Sequence, residues 1–414
     1  MAKRAHILLT GTALGISSLL CALPGSAMAQ AAPEAAPQTI SDADIVVTAQ
    51  RRSESINRVP LAVQALSADA LDKLQITDVE SLATSVPGLQ VSPAYSGVPI
   101  FTLRGIGFNT TNITATSTVG IYQDELAYPY PSMAGGPIFD LERVEVLKGP
   151  QGTLYGRNTT AGLIDFITAK PKQEFSAGGT VELGNYETYN FEGHLNVPLG
   201  DHAAFRVAFR NENSDKGWQI DQTRGDRLGK VDRWGGRASL YFAPSSSFEG
   251  LITVSGWRDR SDTQAGQAIS LNLTNRLSAA APAIGPGDFN SPALLAYLQN
   301  NQPTRASQAG FQDADARAAT VGLAPGMGAP RAHSDFISTQ MRLTWSPNDQ
   351  LSIISLTGYN DFKRRDVVDF GGAPLEIIST EYDARIKSFS QELRFEGNGP
   401  GFNWTVGGYF AHDK

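Results

Sequence analysis

The chain has 414 residues, a net charge of −7, only 18% charged residues and a single cysteine, Cys21. That balance gives no support to a basic nucleic-acid surface, and one thiol excludes a disulfide-stapled scaffold. Beyond the first 29 residues no segment holds the ~18 consecutive apolar residues of a spanning helix, so any passage through a membrane has to be made by strands.

Lys3 and Arg4 precede the apolar stretch Ile7 to Leu20, and Ala27-Met28-Ala29 supplies a small-x-small site. These features predict a secretory signal peptide over residues 1–29, cleaved after Ala29. Leu20 is too bulky for a lipoprotein site at Cys21. Residues 30–58, rich in Ala, Pro and Gln at their start, read as a flexible tether. Within it lies Asp44-Ile45-Val46-Val47-Thr48-Ala49, β-branched at four successive positions and without an evident partner strand. Alone, these six residues read equally well as a docking strand or a valine-rich linker.

Residues 59–172 read as a small α+β domain. Ser67 is placed to cap a helix through Lys73, with Asp69 in its first turn. Thr77 to Glu80 reads as a capping box, followed by Val79, Leu82, Ala83 and Val86 on one helical face and the stop Pro87-Gly88. Short β-like runs follow at 101–107 and 119–126. In the stretch 139–171, Val144 and Val146 alternate with Glu142, Arg143 and Glu145 as in a half-buried strand. Gly149, Gly152 and Gly156 then suit tight turns, and Leu163–Ile167 reads as another strand. The glycines lack the G-x-x-x-x-G-K-[ST] spacing of a phosphate loop.

The sequence "ERVEVLKGPQGTLYG" with the following "GLIDFITAKP" closely resembles the end of the plug domain in TonB-dependent outer-membrane receptors. "LATSVPGLQV" (82–91) and "LRGIG" (103–107) resemble the preceding plug motifs in the same order, and residues 44–49 resemble the TonB box. One departure is Gln123-Asp124-Glu125-Leu126, where the family often has an Asp-Gly turn. The resemblance implies an α+β plug followed by antiparallel transmembrane β-barrel strands, in the outer membrane of a Gram-negative bacterium. It implies TonB and its inner-membrane energising complex as partners, outer-membrane lipid around the barrel, and no cofactor. The spacing from Ala29 to Asp44 leaves no room for the extra signalling domain of some receptors.

Residues 173–414 support the barrel independently. Phe205, Val207 and Phe209 alternate with Arg206 and Arg210, and Leu393 and Phe395 alternate with Glu392, Arg394 and Glu396. About nine strands are expected, near 177–184, 187–197, 203–210, 235–243, 249–258, 335–345, 351–360, 387–396 and 403–412. Connections at 198–201, 244–247, 346–349 and 397–401 are short, whereas most alternate ones are long, which is the asymmetry of outer-membrane barrels. Receptors of this type have ~22 strands, so the barrel is incomplete and the sequence is expected to be an N-terminal portion of a longer receptor.

No H-E-x-x-H, G-x-S-x-G or C-x-x-C motif occurs, so catalysis is not expected. The resemblance implies energised uptake of a scarce nutrient, most often a ferric siderophore. The alternatives are a carbohydrate or cobalamin receptor, a passive porin or a surface-binding protein. Tyr95, Phe108, Tyr122, Tyr128 and Tyr130 are candidate ligand contacts, and no resident metal site is expected. For seating the plug, the resemblance implies ionic contacts among Arg104, Arg143 and the lumen-facing Glu392; otherwise the two arginines are ordinary solvated charges.

Overall fold

The computed structural model describes residues 3–7, 46–52, 54–93, 97–110, 112–221, 227–264, 318–319, 330–369, 379–399 and 402–414. After β1 (Lys3–Ile7), the short β2 (Val46–Val47) pairs with β3 (Glu54–Ser55). Then come β4 (Ala62–Ser67), α1 (Ala68–Lys73), α2 (Val79–Leu82), β5 (Leu89–Pro93), β6 (Pro99–Leu103) and β7 (Ile106–Gly107). β8 (Val119–Gln123), β9 (Leu126–Tyr128), β10 (Leu141–Lys148), α3 (Gly152–Tyr155) and β11 (Gly162–Thr168) complete an α+β plug.

Its central sheet has the order β4-β10-β11-β8-β9, with only β11 and β8 parallel. One face buries Val144, Val146, Ile164 and Ile121 against Leu71, Val79 and Leu82 of the two short helices. The other face is covered as well. Leu147, Leu163 and Tyr122 pack there with Val47, Ala49, Val59 and Tyr155. Glu145, expected on a solvated face, is therefore fully buried, because the 46–59 segment lies over it.

Local chemistry accounts for the boundaries. The Ser67 hydroxyl accepts from the Ala70 amide at the start of α1, as the sequence suggests. For α2 the cap is Asp78 with Ser81 as its reciprocal partner, one residue later than the Thr77–Glu80 reading. The runs 101–107 and 119–126 are not single strands but hairpins. Arg104 (φ 51°) and Gly105 (φ 79°) form one turn, and Asp124 (φ 50°) and Glu125 (φ 69°) form the other. Two-residue hairpin turns with both central residues at positive φ usually contain glycine, so Asp-Glu conceals this one.

The second body is a ten-stranded antiparallel wall. Its members after β1 are β12 (Ser176–Gly184), β13 (Thr188–Pro198) and β14 (Ala203–Ser214), then, past two short strands, β17 (Val231–Ser245) and β18 (Phe248–Asp259). The short pair, β15 (Gln219–Asp221) and β16 (Arg227–Leu228), forms a separate small sheet with β19 (Ala318–Ala319). The wall continues through β20 (Ser334–Asn348), β21 (Leu351–Asp369), β22 (Ser379–Gly399) and β23 (Phe402–Asp413). All nine expected strands are present, in sequence order. Several run longer than the apolar alternation indicates. Above the apolar stretch, β21 and β22 continue as a polar ladder held by Arg365–Asp383 and Arg385–Asp361 ion pairs, which leave no period-2 hydrophobic signal. β1 lies in the stretch assigned to the leader, yet pairs with the edge of β12. Such an edge offers unpaired N–H and C=O groups that an extended segment satisfies.

Alternation holds along the wall: Phe205, Val207 and Phe209 are 36–39% exposed on the outer side, while Arg206 is buried on Asp140 of the plug and Arg210 is buried among Glu182, Glu192 and Glu212 of the wall itself. Val207→Arg is expected to destabilise insertion by ~2–4 kcal/mol, the cost of a cation on the lipid face. Denaturant titration of the receptor folded into bilayers measures it.

Candidate functional site

Residues Val46 to Arg52 lie on the plug sheet, not on a loose tether. Val47 and Ala49 are fully buried, whereas Val46 is half exposed. The Thr48 amide donates to both carboxylate oxygens of Glu145 at 2.9 Å, and its hydroxyl donates to Oε1 at 3.2 Å. The Tyr155 hydroxyl and the Arg51 amide both donate to the Thr48 carbonyl, at 3.1 and 2.8 Å. Asp44 and Ile45 lie outside the described residues. The expectation of an unpartnered strand is thus corrected for Val47, Thr48 and Ala49: a buried carboxylate and an apolar groove give them partners before any other protein arrives.

Two residues further on, Arg51 joins this segment to the wall. Its guanidinium stacks on the Tyr155 ring at 4.2 Å and donates to the Glu125 carboxylate at 3.2 Å and the Glu125 carbonyl at 3.1 Å. Glu125 also receives Arg342 of β20 at 2.6 Å and Arg394 of β22 at 2.9 Å. Burial pushes the Glu125 carboxyl up, but Arg342, Arg394 and Arg51 outweigh it and hold the pKa at about 2. One carboxylate therefore serves three guanidinium groups. Arg52 meanwhile donates to the Gly397 carbonyl, Asn398 and Thr405, beside the short turn between β22 and β23. The docked segment consequently lies at the short-turn end of the wall.

Asp140 makes a second anchor. Arg206 of β14 donates to it at 2.9 Å, and Arg237 of β17 reaches its carboxylate at 2.8 Å and its carbonyl at 2.6 Å. Between the two anchors, Trp257 donates to the Met133 carbonyl at 3.1 Å and Gln340 to the Asp124 carbonyl at 2.7 Å.

Asp165 stands directly opposite Glu145 in the β10–β11 ladder and is 1% exposed. Its Oδ2 has no hydrogen-bond partner. Burial, then the neighbouring Glu145, Asp124 and Glu125, push its carboxyl well above the usual range.

The residues expected to seat the plug are arranged differently. Arg143 pairs with Glu145 at 2.8 Å and with Glu142 on its own strand, not with Glu392. Arg104 is exposed at its turn and has no ion-pair partner among the described residues. Glu392 does approach a plug cation, but it is Arg51, at 3.8 Å, alongside Arg394 at 2.9 Å. Among the aromatic candidates, Tyr122 and Tyr128 are buried: the Tyr122 hydroxyl donates to the Tyr155 carbonyl, and the Tyr128 ring packs edge-on against Phe336 at 5.2 Å. Phe108 is exposed, Tyr130 is half-buried, and Tyr95 lies outside the described residues. Sequence reasoning missed Glu125, Asp140, Glu145 and Arg51. The available signal was the wall's inward polar phase, where Arg206, Arg237, Arg342 and Arg394 require acids on whatever fills the lumen.

A family model described as the TonB-dependent Receptor Plug Domain matches residues 55–163. The chain belongs to the TonB-dependent receptor family. It is 29% identical over 203 residues to the iron-regulated outer membrane virulence protein of Vibrio cholerae, covering 46% of this chain and 30% of that protein. Over 243 residues it is 29% identical to the pesticin receptor of Yersinia pestis, covering 56% of this chain and 33% of the receptor. The ferric yersiniabactin uptake receptor FyuA of Yersinia pestis superposes with a TM-score of 0.64 at 19% identity, over 85% of this chain and 48% of that structure. The chain thus spans about a third of these curated relatives and about half of the solved receptor. The family is one of receptors and transporters, not enzymes.

Two outcomes test the dock. A spin label at Val46→Cys, with Cys21 replaced, should be immobile in the otherwise native receptor and become mobile in Glu145→Ala. Asp165→Asn should raise the unfolding midpoint at pH 8 and leave it unchanged near pH 3.5. The sign follows because a carboxyl with a raised folded pKa contributes stability below its unfolded value that is lost as pH rises through the folded one. Glu125 has the opposite sign: its contribution is present above the unfolded pKa of ~4.3 and lost as pH falls toward about 2.

Proposed function

We propose that this chain forms the stopper and first wall strands of an outer-membrane receptor that imports a ferric siderophore under mechanical work from TonB. The carrying observation is the continuous path from the docked segment to the wall: Thr48 on Glu145, then Arg51 on Glu125, then Arg342 and Arg394. A partner with an exposed sheet edge could take residues 44–49 as an added strand through main-chain hydrogen bonds. Pulling on them would draw Arg51 out of its site and leave Glu125 with only the two wall arginines. Such a displacement would loosen the plug from its base upward.

The location of Arg52 beside a short turn supports access from the periplasmic side, where such barrels carry their short connections. Cleavage after Ala29 is part of the proposal, since it would release the tether for that encounter. Similarity to the iron-regulated outer membrane virulence protein and to the ferric yersiniabactin uptake receptor favours an iron cargo. A second reading, cobalamin, is favoured by 25% identity to the vitamin B12 transporter BtuB of Photobacterium profundum over 191 residues.

Deletion of the full gene should slow growth under iron limitation and reduce radio-iron siderophore uptake at least tenfold, with cobalamin uptake unchanged. The reverse pattern would replace iron with cobalamin. Val47→Pro removes an amide needed for strand addition, so it should abolish uptake while ligand binding at the cell surface persists. Undiminished uptake in that variant would remove TonB coupling through this segment.

A further inference from the structure

The outer side of the wall carries a band of charge that neither plug seating nor transport uses. On β21 the stretch from Leu351 to Asp361 rises ~25 Å at ~3.3 Å per residue and ~40° tilt, the height of the apolar belt of such barrels. Lys363 is the next outward position above it. On β18 the outward run through Val254 reaches Arg258, and on β20 the run through Ile337 reaches Asp335. On β22, Phe389 is followed upward by Lys387 and then Arg385. Arg258, Asp335, Lys363 and Arg385 are directly opposed in successive ladders, so they form one row across four strands.

The charge in this band does not cancel. Asp335 is shared by Arg260 at 2.7 Å and Arg258 at 3.7 Å. Asp361 takes Arg385 at 2.6 Å. Lys363 and Lys387 have no ion-pair partner among the described residues, and Lys363 is exposed. Arg258 and Arg385 keep 50% and 56% of their surface exposed despite their pairs. In the row and the positions just below it, Arg258, Lys363, Arg385 and Lys387 outnumber Asp335 and Asp361 at the upper edge of an apolar belt, while one step higher Arg365 is matched by Asp383. Trp234, 41% exposed, is opposed to Arg258 in the next ladder and supplies an aromatic anchor at that edge.

We propose that Lys363, Lys387, Arg385 and Arg258 bind the phosphate groups of a phosphorylated glycolipid of the outer leaflet, lipid A, with its acyl chains lying over Val254, Ile337 and Phe389. Charge complementarity selects the ligand: multiple phosphates at the glycolipid headgroup meet a row of guanidinium and ammonium groups, and the apolar surface directly beneath takes the chains. The row lies at the long-connection end of the wall, opposite the short turn contacted by Arg52, which places it in the outer leaflet. This inference rests on the outer-membrane reading given above.

The test uses the full-length receptor purified from membranes, with bound lipid counted by native mass spectrometry. Wild type should retain bisphosphorylated lipid A through a detergent wash, and Lys363→Glu/Lys387→Glu should retain at least fivefold less. These two lysines are chosen because their replacement breaks no ion pair. Heat-modifiable migration on gels verifies that the variant barrel is folded, and Lys363→Arg/Lys387→Arg, which keeps both charges, should restore retention. Lipid A stripped of its phosphates should be retained no better than phosphatidylethanolamine. Equal retention of lipid A by the charge-reversed variant, or of the dephosphorylated lipid by wild type, would overturn the proposal. Failure of wild type to fractionate with the outer membrane would instead overturn the location on which it rests.

Discussion

The structure depends on a division of charge between two bodies. The plug presents buried acids, Glu125 and Asp140, and the inner face of the wall presents arginines, Arg342 and Arg394 to one and Arg206 and Arg237 to the other. Breaking a buried pair by removing one partner costs roughly 3–5 kcal/mol, because the survivor is left uncompensated. An apolar interface of similar size would hold the plug more simply, but it would resist stepwise displacement. Charge pairs in a lumen that water can enter can exchange a protein partner for solvent once strained. The same contacts would therefore serve both seating and the release proposed above.

The docked segment is held by much less. Burial of Val47 contributes about 1.5–3 kcal/mol, and the Thr48 hydrogen bonds contribute about 1 kcal/mol each after the lost water contacts are counted. Glu145 is also compromised as an anchor. It already serves Arg143, and it stands opposite Asp165, whose carboxyl is pushed up by burial first and then by Glu145. A few kcal/mol is enough to keep the segment on the plug most of the time. It is small enough for a competing strand partner to supply by pairing the same backbone.

Legibility in the sequence followed the range of the interaction. The nine wall strands were readable because each carries its own period-2 pattern, and their lower boundaries were marked by short turns such as 198–201. Their upper boundaries were not, since Arg365 and Asp383 continue the ladder with charge where the apolar signal has stopped. The plug motifs gave the order of its elements. They could not show that Glu145 is buried, because the residues that bury it, Val47 and Ala49, lie almost a hundred positions earlier. Arg143 invited a pairing across the lumen for the opposite reason. Local sequence shows a cation on a strand, but its partner, Glu145, is two residues away on the same face of that strand, where the Arg143 Nε–H donates to its carboxylate at 2.8 Å.

The hairpin tip at Asp124–Glu125 joins local strain to this long-range arrangement. Both residues sit at positive φ, at φ 50° and φ 69°, where side chains with a Cβ pay roughly 1–2 kcal/mol each. Glycine would relieve that cost at Glu125 but would remove the carboxylate that gathers Arg51, Arg342 and Arg394. Asp124 is fixed in the same turn by the Thr168 amide at 3.0 Å and hydroxyl at 2.7 Å. The strain persists because contacts on both sides over-determine the turn. The tight two-residue turn places the Glu125 carboxylate, beyond the end of β8, against Arg342 and Arg394 of the wall. The departure from the usual turn sequence is thus one of the features that connect the plug to its barrel wall.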